Sequence, residues 1–476
     1  MTFGTSLRTG LLAGLLAAPA AAQPAPGSLG AVTGAPGATP AARGLYLTEA
    51  ADCMPCHTAP GGRPYAGGRV VQTPFGTVVS PNITPDRATG IGTWTPAEFW
   101  NAVHDGVGRN GEDLYPVMPF TSYTGMTRED ADAIFAYLRT VPAVDAPDQP
   151  NGLYFPFSIR ATLGVWRELF FQPGVFRPDP ARSPEWNRGA YLVTALGHCG
   201  ECHTPRNLLG ATEPSAALQG AVVAGWFAPN LTPDLRQGLG GWSVAQIADW
   251  LRTGASRTKG TVFGPMSEVQ HDSLARLTDA DLHAIATYLH DEPSPALQAA
   301  SAPAARRSEA DRAAAALYAA NCAGCHRPGG RGSPGVIPPL AGNQAVTAAA
   351  PNDVIEVLLN GLPAQGSYGA MPRFAAALDD RQIAALANYV RTAWGNQGTA
   401  NATPGLVASL RAGAATGLAG TEAARALCPA INPLGQGPGQ DVLGQGAAAL
   451  MRGADSGDLL NRTDLLLRTL RRNNPG

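Results

Sequence analysis

The chain has 476 residues, with 34 Lys+Arg against 36 Asp+Glu and a formal net charge of -2. That balance excludes the basic excess expected of a nucleic-acid binder, and the length fits about three domains. Charged residues are only 15%, aromatics at 7% are few for three cores built from side chains alone, and 57 Gly with 42 Pro mark a loop-rich chain. The first 22 residues read as an export signal. Arg8 supplies the positive start, Leu11 to Ala18 the apolar stretch, and Ala20-Ala21-Ala22 a cleavage site before Gln23. The apolar stretch is far short of the roughly 20 residues that span a bilayer. The mature chain is therefore expected in the periplasm, with any membrane contact peripheral. Residues 23–42 follow as an Ala/Gly/Pro linker.

Six of the seven cysteines then fall into three pairs of identical spacing, each followed directly by His. They are Cys53-Met54-Pro55-Cys56-His57, Cys199-Gly200-Glu201-Cys202-His203 and Cys322-Ala323-Gly324-Cys325-His326. This is the attachment signature of c-type haem. Two thiols three residues apart lie on one side of a single turn, where they can add to the two vinyl groups of one porphyrin. The next residue projects an imidazole onto the iron. A redox dithiol needs no adjacent His, and a structural zinc site wants four clustered ligands; here the pairs are 146 and 123 residues apart. Three covalent haems are thus expected. Cys428 stands alone and is read as a free or buried thiol.

The likeness extends beyond the cysteines and defines three copies of one unit. A leading helix carries Arg43-Gly44-Leu45-Tyr46-Leu47 in the first copy, Arg188-Gly189-Ala190-Tyr191-Leu192 in the second and Ala316-Leu317-Tyr318-Ala319 in the third. After the attachment sites come Pro81-Asn82-Ile83-Thr84-Pro85-Asp86, Pro229-Asn230-Leu231-Thr232-Pro233-Asp234 and the shorter Pro339-Leu340-Ala341-Gly342-Asn343. The first residues of these segments, Pro81, Pro229 and Pro339, are candidates for a carbonyl that orients the proximal imidazole. Thr95-Pro96-Ala97-Glu98 and Ser243-Val244-Ala245-Gln246 are capping boxes that open a second helix. Gly106 and Gly254 terminate it, while Asn352 and Gly361 play these parts in the third copy. A closing helix starts at caps Thr127, Thr278 and Asp379, with Asp130, Asp281 and Gln382 three positions later. Apolar residues recur at helical period after each cap, as at Ile134, Phe135, Leu138 and Val141.

Between the second and closing helices each copy has a Met beside Pro: Met118, Met266 and Met371, which follow the proximal His by 61, 63 and 45 residues. A thioether on the distal face gives His/Met ligation, which fills the sixth position and raises the potential. Met126, at the cap of a closing helix, is expected to pack, and Met54 lies inside the attachment loop. His104, His198, His271, His283 and His290 recur at no equivalent positions and are read as ordinary histidines. The expected cofactor-binding residues are therefore Cys53, Cys56, Cys199, Cys202, Cys322 and Cys325, and the expected iron ligands His57, Met118, His203, Met266, His326 and Met371.

From about Arg43 to Asn396 these motifs resemble the three-haem cytochrome c subunits of bacterial membrane-associated dehydrogenases for alcohol, gluconate, sorbitol or aldehyde. Thr73-Pro74-Phe75-Gly76-Thr77, Leu114-Tyr115-Pro116-Val117-Met118-Pro119, His203-Thr204-Pro205-Arg206-Asn207 and Trp394-Gly395-Asn396 carry the likeness alongside the haem sites. The resemblance implies an all-α chain of three tandem cytochrome c domains. It implies a large catalytic partner carrying pyrroloquinoline quinone, flavin or a molybdopterin, and ubiquinone or a downstream carrier as acceptor. The expected boundaries are 1–22 signal, 23–42 linker, 43–142 first domain, 143–185 connector, 186–295 second domain, 296–308 linker, 309–396 third domain and 397–476 tail. The connector is aromatic, with Leu153-Tyr154-Phe155-Pro156-Phe157, Trp166, Phe170 and Phe171, and reads either as buried packing or as a docking face. The tail ends in a basic amphipathic stretch, Leu459 to Arg472, which fits a helix lying on an anionic membrane or one packed on the body. No dinucleotide fingerprint or nucleophile–base set is visible, so no substrate turnover is expected from this chain alone. The rival readings are a haem enzyme of peroxidase or reductase type, which needs an open iron, and a free-standing multihaem carrier.

Overall fold

The computed structural model describes residues 39–235, 237–291 and 309–416. The export signal, Cys428 and the Leu459–Arg472 stretch lie outside the described residues. In the first repeat, Thr39 caps α1 (Pro40–Ala50) by accepting from Ala42, with Pro40 at the first helical position where its missing N–H costs nothing. The single turn α2 (Cys53–Cys56) follows, then a β-hairpin of β1 (Val70–Thr73) and β2 (Gly76–Val79). The capping box at Thr95 opens α3 (Pro96–Trp100), which runs through a π turn to Gly106 in the left-handed region. The short α4 (Phe120–Tyr123) and the closing α5 (Arg128–Leu138) complete the repeat.

The connector adds β3 (Gly152–Leu153) to the edge of β2 and forms α6 (Thr162–Phe170). Its aromatics divide. Phe157 packs on Phe75, and Trp166 and Phe171 pack on Phe120, while Tyr154 and Phe155 face solvent at 48% and 66% exposure.

The second repeat follows the same order: α7 (Pro184–Tyr191), the α8 turn (Gly200–His203), a hairpin of β4 (Ala221–Val223) and β5 (Trp226–Ala228), and α9 (Val244–Thr253). Then come a small hairpin of β6 (Ala255–Ser256) and β7 (Gly260–Thr261), α10 (Pro265–Asp272) and the closing α11 (Asp279–His290). One residue more separates Tyr191 from Cys199 than Tyr46 from Cys53. The extra residue is absorbed in a π turn over Leu192–Leu196, where the Gly197 N–H reaches back to the Leu192 carbonyl at 2.6 Å.

The third repeat has α12 (Glu309–Asn321), the α13 turn (Ala323–His326), α14 (Gln344–Thr347), α15 (Asn352–Asn360) and the closing α16 (Asp380–Thr392). The segment expected as tail contributes α17 (Pro404–Thr416), whose Val407 and Leu410 are fully buried in the core of this repeat. Beneath it Arg391 is fully buried and donates to the carbonyls of Val346, Ala348, Ala350 and Thr399. The architecture is thus mostly helical, but not purely so. Among the described residues three small antiparallel sheets sit in the loops, where Gly76, Gly225 and Gly260 at positive φ allow tight reversals.

In the first two repeats the leading and closing helices cross at a glycine. A Cβ at Gly44 would overlap the Ala133 carbonyl of α5, and one at Gly189 would overlap the Ala284 carbonyl of α11. These two repeats share one continuous apolar core running from Tyr46 to Leu289, whereas the third has its own core from Tyr318 to Leu410.

The joint between the first two is reciprocal. Arg43 pairs with Asp130 in its own repeat, and Asp130 accepts from the Tyr191 hydroxyl of the second at 2.5 Å. Arg188 grips Asp281 through two nitrogens, and Asp281 accepts from the Tyr46 hydroxyl of the first at 2.5 Å. Each hydroxyl also accepts the cap N–H of the opposite closing helix, from Thr127 and Thr278, both at 3.2 Å. A helix start leaves such donors without an intrahelical partner. Here the partner comes from the neighbouring repeat, because the Asp at N3 is spent on Arg and Tyr. At α16 the capping box of Asp379 and Gln382 closes within its own helix, and the R-G-x-Y segment is absent from α12.

Candidate haem-attachment sites

Each Cys-x-x-Cys-His segment folds into one turn. The His N–H returns to the first Cys carbonyl at 3.1 Å for His57, 3.0 Å for His203 and 2.9 Å for His326. The first Cys of each pair faces the core (Cys53 and Cys199 half-buried, Cys322 buried), and Cys56, Cys202 and Cys325 are exposed. All six thiols are free, so none is diverted into a disulfide.

The imidazoles supply the fit test for an iron porphyrin. His57 Nδ1 lies 2.9 Å from the Pro81 carbonyl, His203 Nδ1 2.7 Å from that of Pro229, and His326 Nδ1 3.1 Å from that of Pro338. A carbonyl can only accept, so Nδ1 carries the proton and Nε2 keeps a free lone pair, the form that ligates a metal. Burial lowers all three imidazoles below their ordinary values, with the proline carbonyl acting the other way. The rings are neutral at neutral pH, as ligation requires. Two of the three prolines expected from the sequence make this contact. In the third repeat it is Pro338 rather than Pro339, whose carbonyl instead accepts from Asn343 at 2.9 Å. The shorter return loop there brings the preceding proline opposite the ring.

Met118 sits in the turn after Tyr115, just before α4, and is half-buried on the core that also receives Cys53. Met266 occupies the first turn of α10, behind Gly264 at φ 57. Met371 is bridged to Leu362 by reciprocal backbone bonds of 3.0 and 2.9 Å and packs on the core that receives Cys322. Met126 is 1% exposed and belongs to the packed core. His104 stacks on Trp100 at 4.2 Å, His198 meets the Tyr123 ring at 5.5 Å, and His271 and His283 pair with Asp272 and Glu185. Among the described residues no group of three or more His, Cys, Asp or Glu is placed to hold a metal ion directly. No helix among them is long and apolar enough to cross a membrane.

Contacts between repeats, unread in the sequence, tie the attachment loops together. Glu201, inside the second loop, accepts from Thr121 at 2.7 Å and Ser122 at 2.9 Å of the first repeat. Burial works to raise its carboxyl, but Arg206 and these hydroxyls outweigh that and hold it below its ordinary value. Reciprocally, Arg69 of the first repeat donates to the Pro55 carbonyl inside the first loop at 3.1 Å and grips Glu268 of the second at 2.5 and 2.8 Å. Tyr123, whose hydroxyl donates to the Ala51 carbonyl at 2.5 Å just ahead of that loop, sets its ring against His198 of the second repeat at 5.5 Å. Between the second and third repeats some contacts lie just ahead of the Met residues, beside others made by Gln344, Asn352 and Asp353. Thr261 donates to Gln365 at 2.6 Å and Tyr368 to the Ser256 carbonyl at 2.6 Å.

A family profile described as "Cytochrome c" matches residues 41–142, and one described as "Cytochrome C oxidase, cbb3-type, subunit III" matches residues 309–390. The chain is 40% identical over 396 residues to an alcohol dehydrogenase (quinone), cytochrome c subunit, of Gluconacetobacter polyoxogenes, covering 78% of this chain and 83% of that protein. It is 40% identical over 405 residues to the fructose dehydrogenase cytochrome subunit of Gluconobacter japonicus (78% and 82%). It is 38% identical over 397 residues to the gluconate 2-dehydrogenase cytochrome c subunit of Pantoea cypripedii (78% and 89%).

Proposed function

Because the chain belongs to the cytochrome c subunits of quinone-linked dehydrogenases, and is thereby an electron-transfer subunit with covalent c-type haem, we propose that it carries three haems, one per repeat, in three tandem cytochrome c domains. The sulfurs of Cys53 and Cys56, Cys199 and Cys202, and Cys322 and Cys325 hold the porphyrins. His57, His203 and His326 are the proximal ligands, and Met118, Met266 and Met371 the distal ones. The haems supply one-electron chemistry, taking electrons from a catalytic partner that carries pyrroloquinoline quinone, flavin or molybdopterin and delivering them to ubiquinone or a downstream acceptor.

The protein's share is spacing and polarity. Glu201, Arg69 and the Tyr123 ring join the first two repeats around their attachment loops, and Thr261 and Tyr368 join the second and third just ahead of the Met residues. The second repeat is therefore the middle element, in contact with both of its neighbours. The mature chain works in the periplasm at the outer face of the cytoplasmic membrane, in peripheral contact with it. The observation that carries this reading is the threefold turn in which a proline carbonyl fixes the His tautomer. The test is the mass of the exported, denatured chain with a near-infrared spectrum. Three covalent porphyrins are expected, with a Met-to-iron band that loses one share in each of Met118→Ala, Met266→Ala and Met371→Ala. A count other than three, or a band indifferent to these changes, overturns it.

A further inference from the structure

Resting on that assignment of Met266 and Met371, we propose that Asp353, with Asn352, is a positioning residue that latches the third repeat onto the β4–β5 hairpin and thereby holds the two Met-bearing segments against each other. The hairpin offers the complementary groups. Ala224 and Gly225 form its two-residue turn with φ of 50° and 85°, the pattern of a tight primed turn. In such a hairpin Val223 and Trp226 close the ladder. The next pair, Val222 and Phe227, is of the non-hydrogen-bonded kind, so the Phe227 N–H points away from its partner strand. Asp353 Oδ1 accepts it at 2.8 Å, and Asn352 Nδ2 donates to the Gly225 carbonyl at 2.8 Å.

Every member of this joint is buried: Asn352 is 0% exposed, Asp353 2% and Phe227 8%. Burial pushes the Asp353 carboxyl up to about 7, against the Phe227 amide and Arg391. A buried acid is a costly way to fill space, and its best-attested use is fixing register. The equivalent helices α3 and α9 bury only apolar side chains at their interior positions, such as Phe99, and Ile247 with Leu251.

The hairpin bears directly on the second repeat's Met segment. The Trp226 ring leaves no room for a Cβ at Gly264, two residues before Met266, and tilts on Phe263 at 5.6 Å. On the other side, α15 ends at Gly361, and Leu362 bridges to Met371. One buried carboxyl thus connects the helix that leads to Met371 with the strand that supports Met266.

The test uses the full-length, haem-loaded chain. Asp353→Asn keeps the acceptor and loses the charge; Asp353→Ala loses both. Two quantities are read: hydrogen exchange at the Phe227 amide, and intramolecular electron equilibration after substoichiometric photoreduction by a soluble flavin. Asp353→Asn is expected to match the parent in both. Asp353→Ala is expected to exchange the Phe227 amide about tenfold faster or more, as loss of one buried acceptor implies, and to slow the equilibration phase. Parent-like exchange and equilibration in Asp353→Ala overturn the proposal. So does rapid Phe227 exchange in the parent protein, a measurement that needs no variant to fold. Failure of the three-haem assignment is separately visible as a porphyrin deficit in the parent mass.

Discussion

Replacing Tyr46 by Phe removes one oxygen from the joint between the first two repeats and leaves the ring in place. The hydroxyl donates to Asp281 at 2.5 Å and accepts the Thr278 cap N–H at 3.2 Å, with the ring 7% exposed. A hydrogen bond to a charged acceptor contributes about 1.5–3 kcal/mol, and a buried N–H left unpaired costs about 1–3 kcal/mol. Asp281 remains gripped by Arg188, so the carboxylate is not orphaned and the two losses overlap. We expect Tyr46→Phe to lower stability by about 2–4 kcal/mol, with Tyr191→Phe alike because its contacts mirror these. Tyr115→Phe, which loses only a 3.3 Å bond to the Phe157 carbonyl, should cost less than about 0.5 kcal/mol. Urea unfolding of the haem-loaded chain, followed by circular dichroism, reads these differences. Burial, with Asp281 adding, raises the Tyr46 phenol to about 12 from an ordinary 10.0. The folded state therefore holds this proton more tightly. That stabilisation is complete below pH 10 and is lost as pH rises towards 12, and Tyr46→Phe should flatten that alkaline decline. A Tyr46→Phe protein as stable as the parent, with an unchanged alkaline limb, refutes the idea that the two repeats cap each other's helices.

In the third repeat, burial, helped by Asp353 and opposed by Asn360, pushes the Glu356 carboxyl up to about 7. Its proton stabilises the fold at acid pH, and that stabilisation falls away as pH rises from the unfolded value towards 7. Glu356→Gln should be more stable than the parent at pH 8 and similar at pH 4; equal stability at pH 8 would contradict the burial argument. Gly189→Ala should cost about 3 kcal/mol or more, because the added Cβ meets the Ala284 backbone, whereas Gly174→Ala, where no atom lies within 4 Å of the added Cβ, should stay within about 0.5 kcal/mol. Thermal melts of the two proteins decide it. Arg391→Lys should destabilise by about 3 kcal/mol or more, since one ammonium cannot reach the several carbonyls that the guanidinium satisfies. Parent-like melting would show those bonds to be dispensable.

Local signals in the sequence were reliable where the physics is local. The boxes at Thr95, Ser243 and Asp379 close as capping boxes, and Gly106, Gly254 and Gly361 take the positive φ expected of terminators. The attachment turns also follow from spacing alone, because four residues of helical backbone fix which way two thiols and an imidazole point. Where a residue had two possible partners, the nearer one was the wrong guess. Asp130 and Asp281 stand three positions after a Thr cap and read as capping residues, yet their carboxylates go to Arg and to the other repeat's Tyr. Pro338 displaced Pro339 because loop length, not motif position, sets which carbonyl meets His326. The hairpins are not legible in the sequence because strands of two to four residues carry too little alternation to register as a period.

The sequence by itself determined the local features: three Cys-x-x-Cys-His turns of identical spacing, three Met beside Pro, and the helix caps, each encoded within a few residues. Only the tertiary structure decided how the three units are joined. The first and second share a core and exchange Tyr hydroxyls, while the third hangs on a hairpin through Asp353 and Asn352. Those joints link residues roughly 60 to 235 positions apart. At such separations no periodicity or spacing rule applies, and the outcome depends on which buried donor finds which acceptor once the chain has packed.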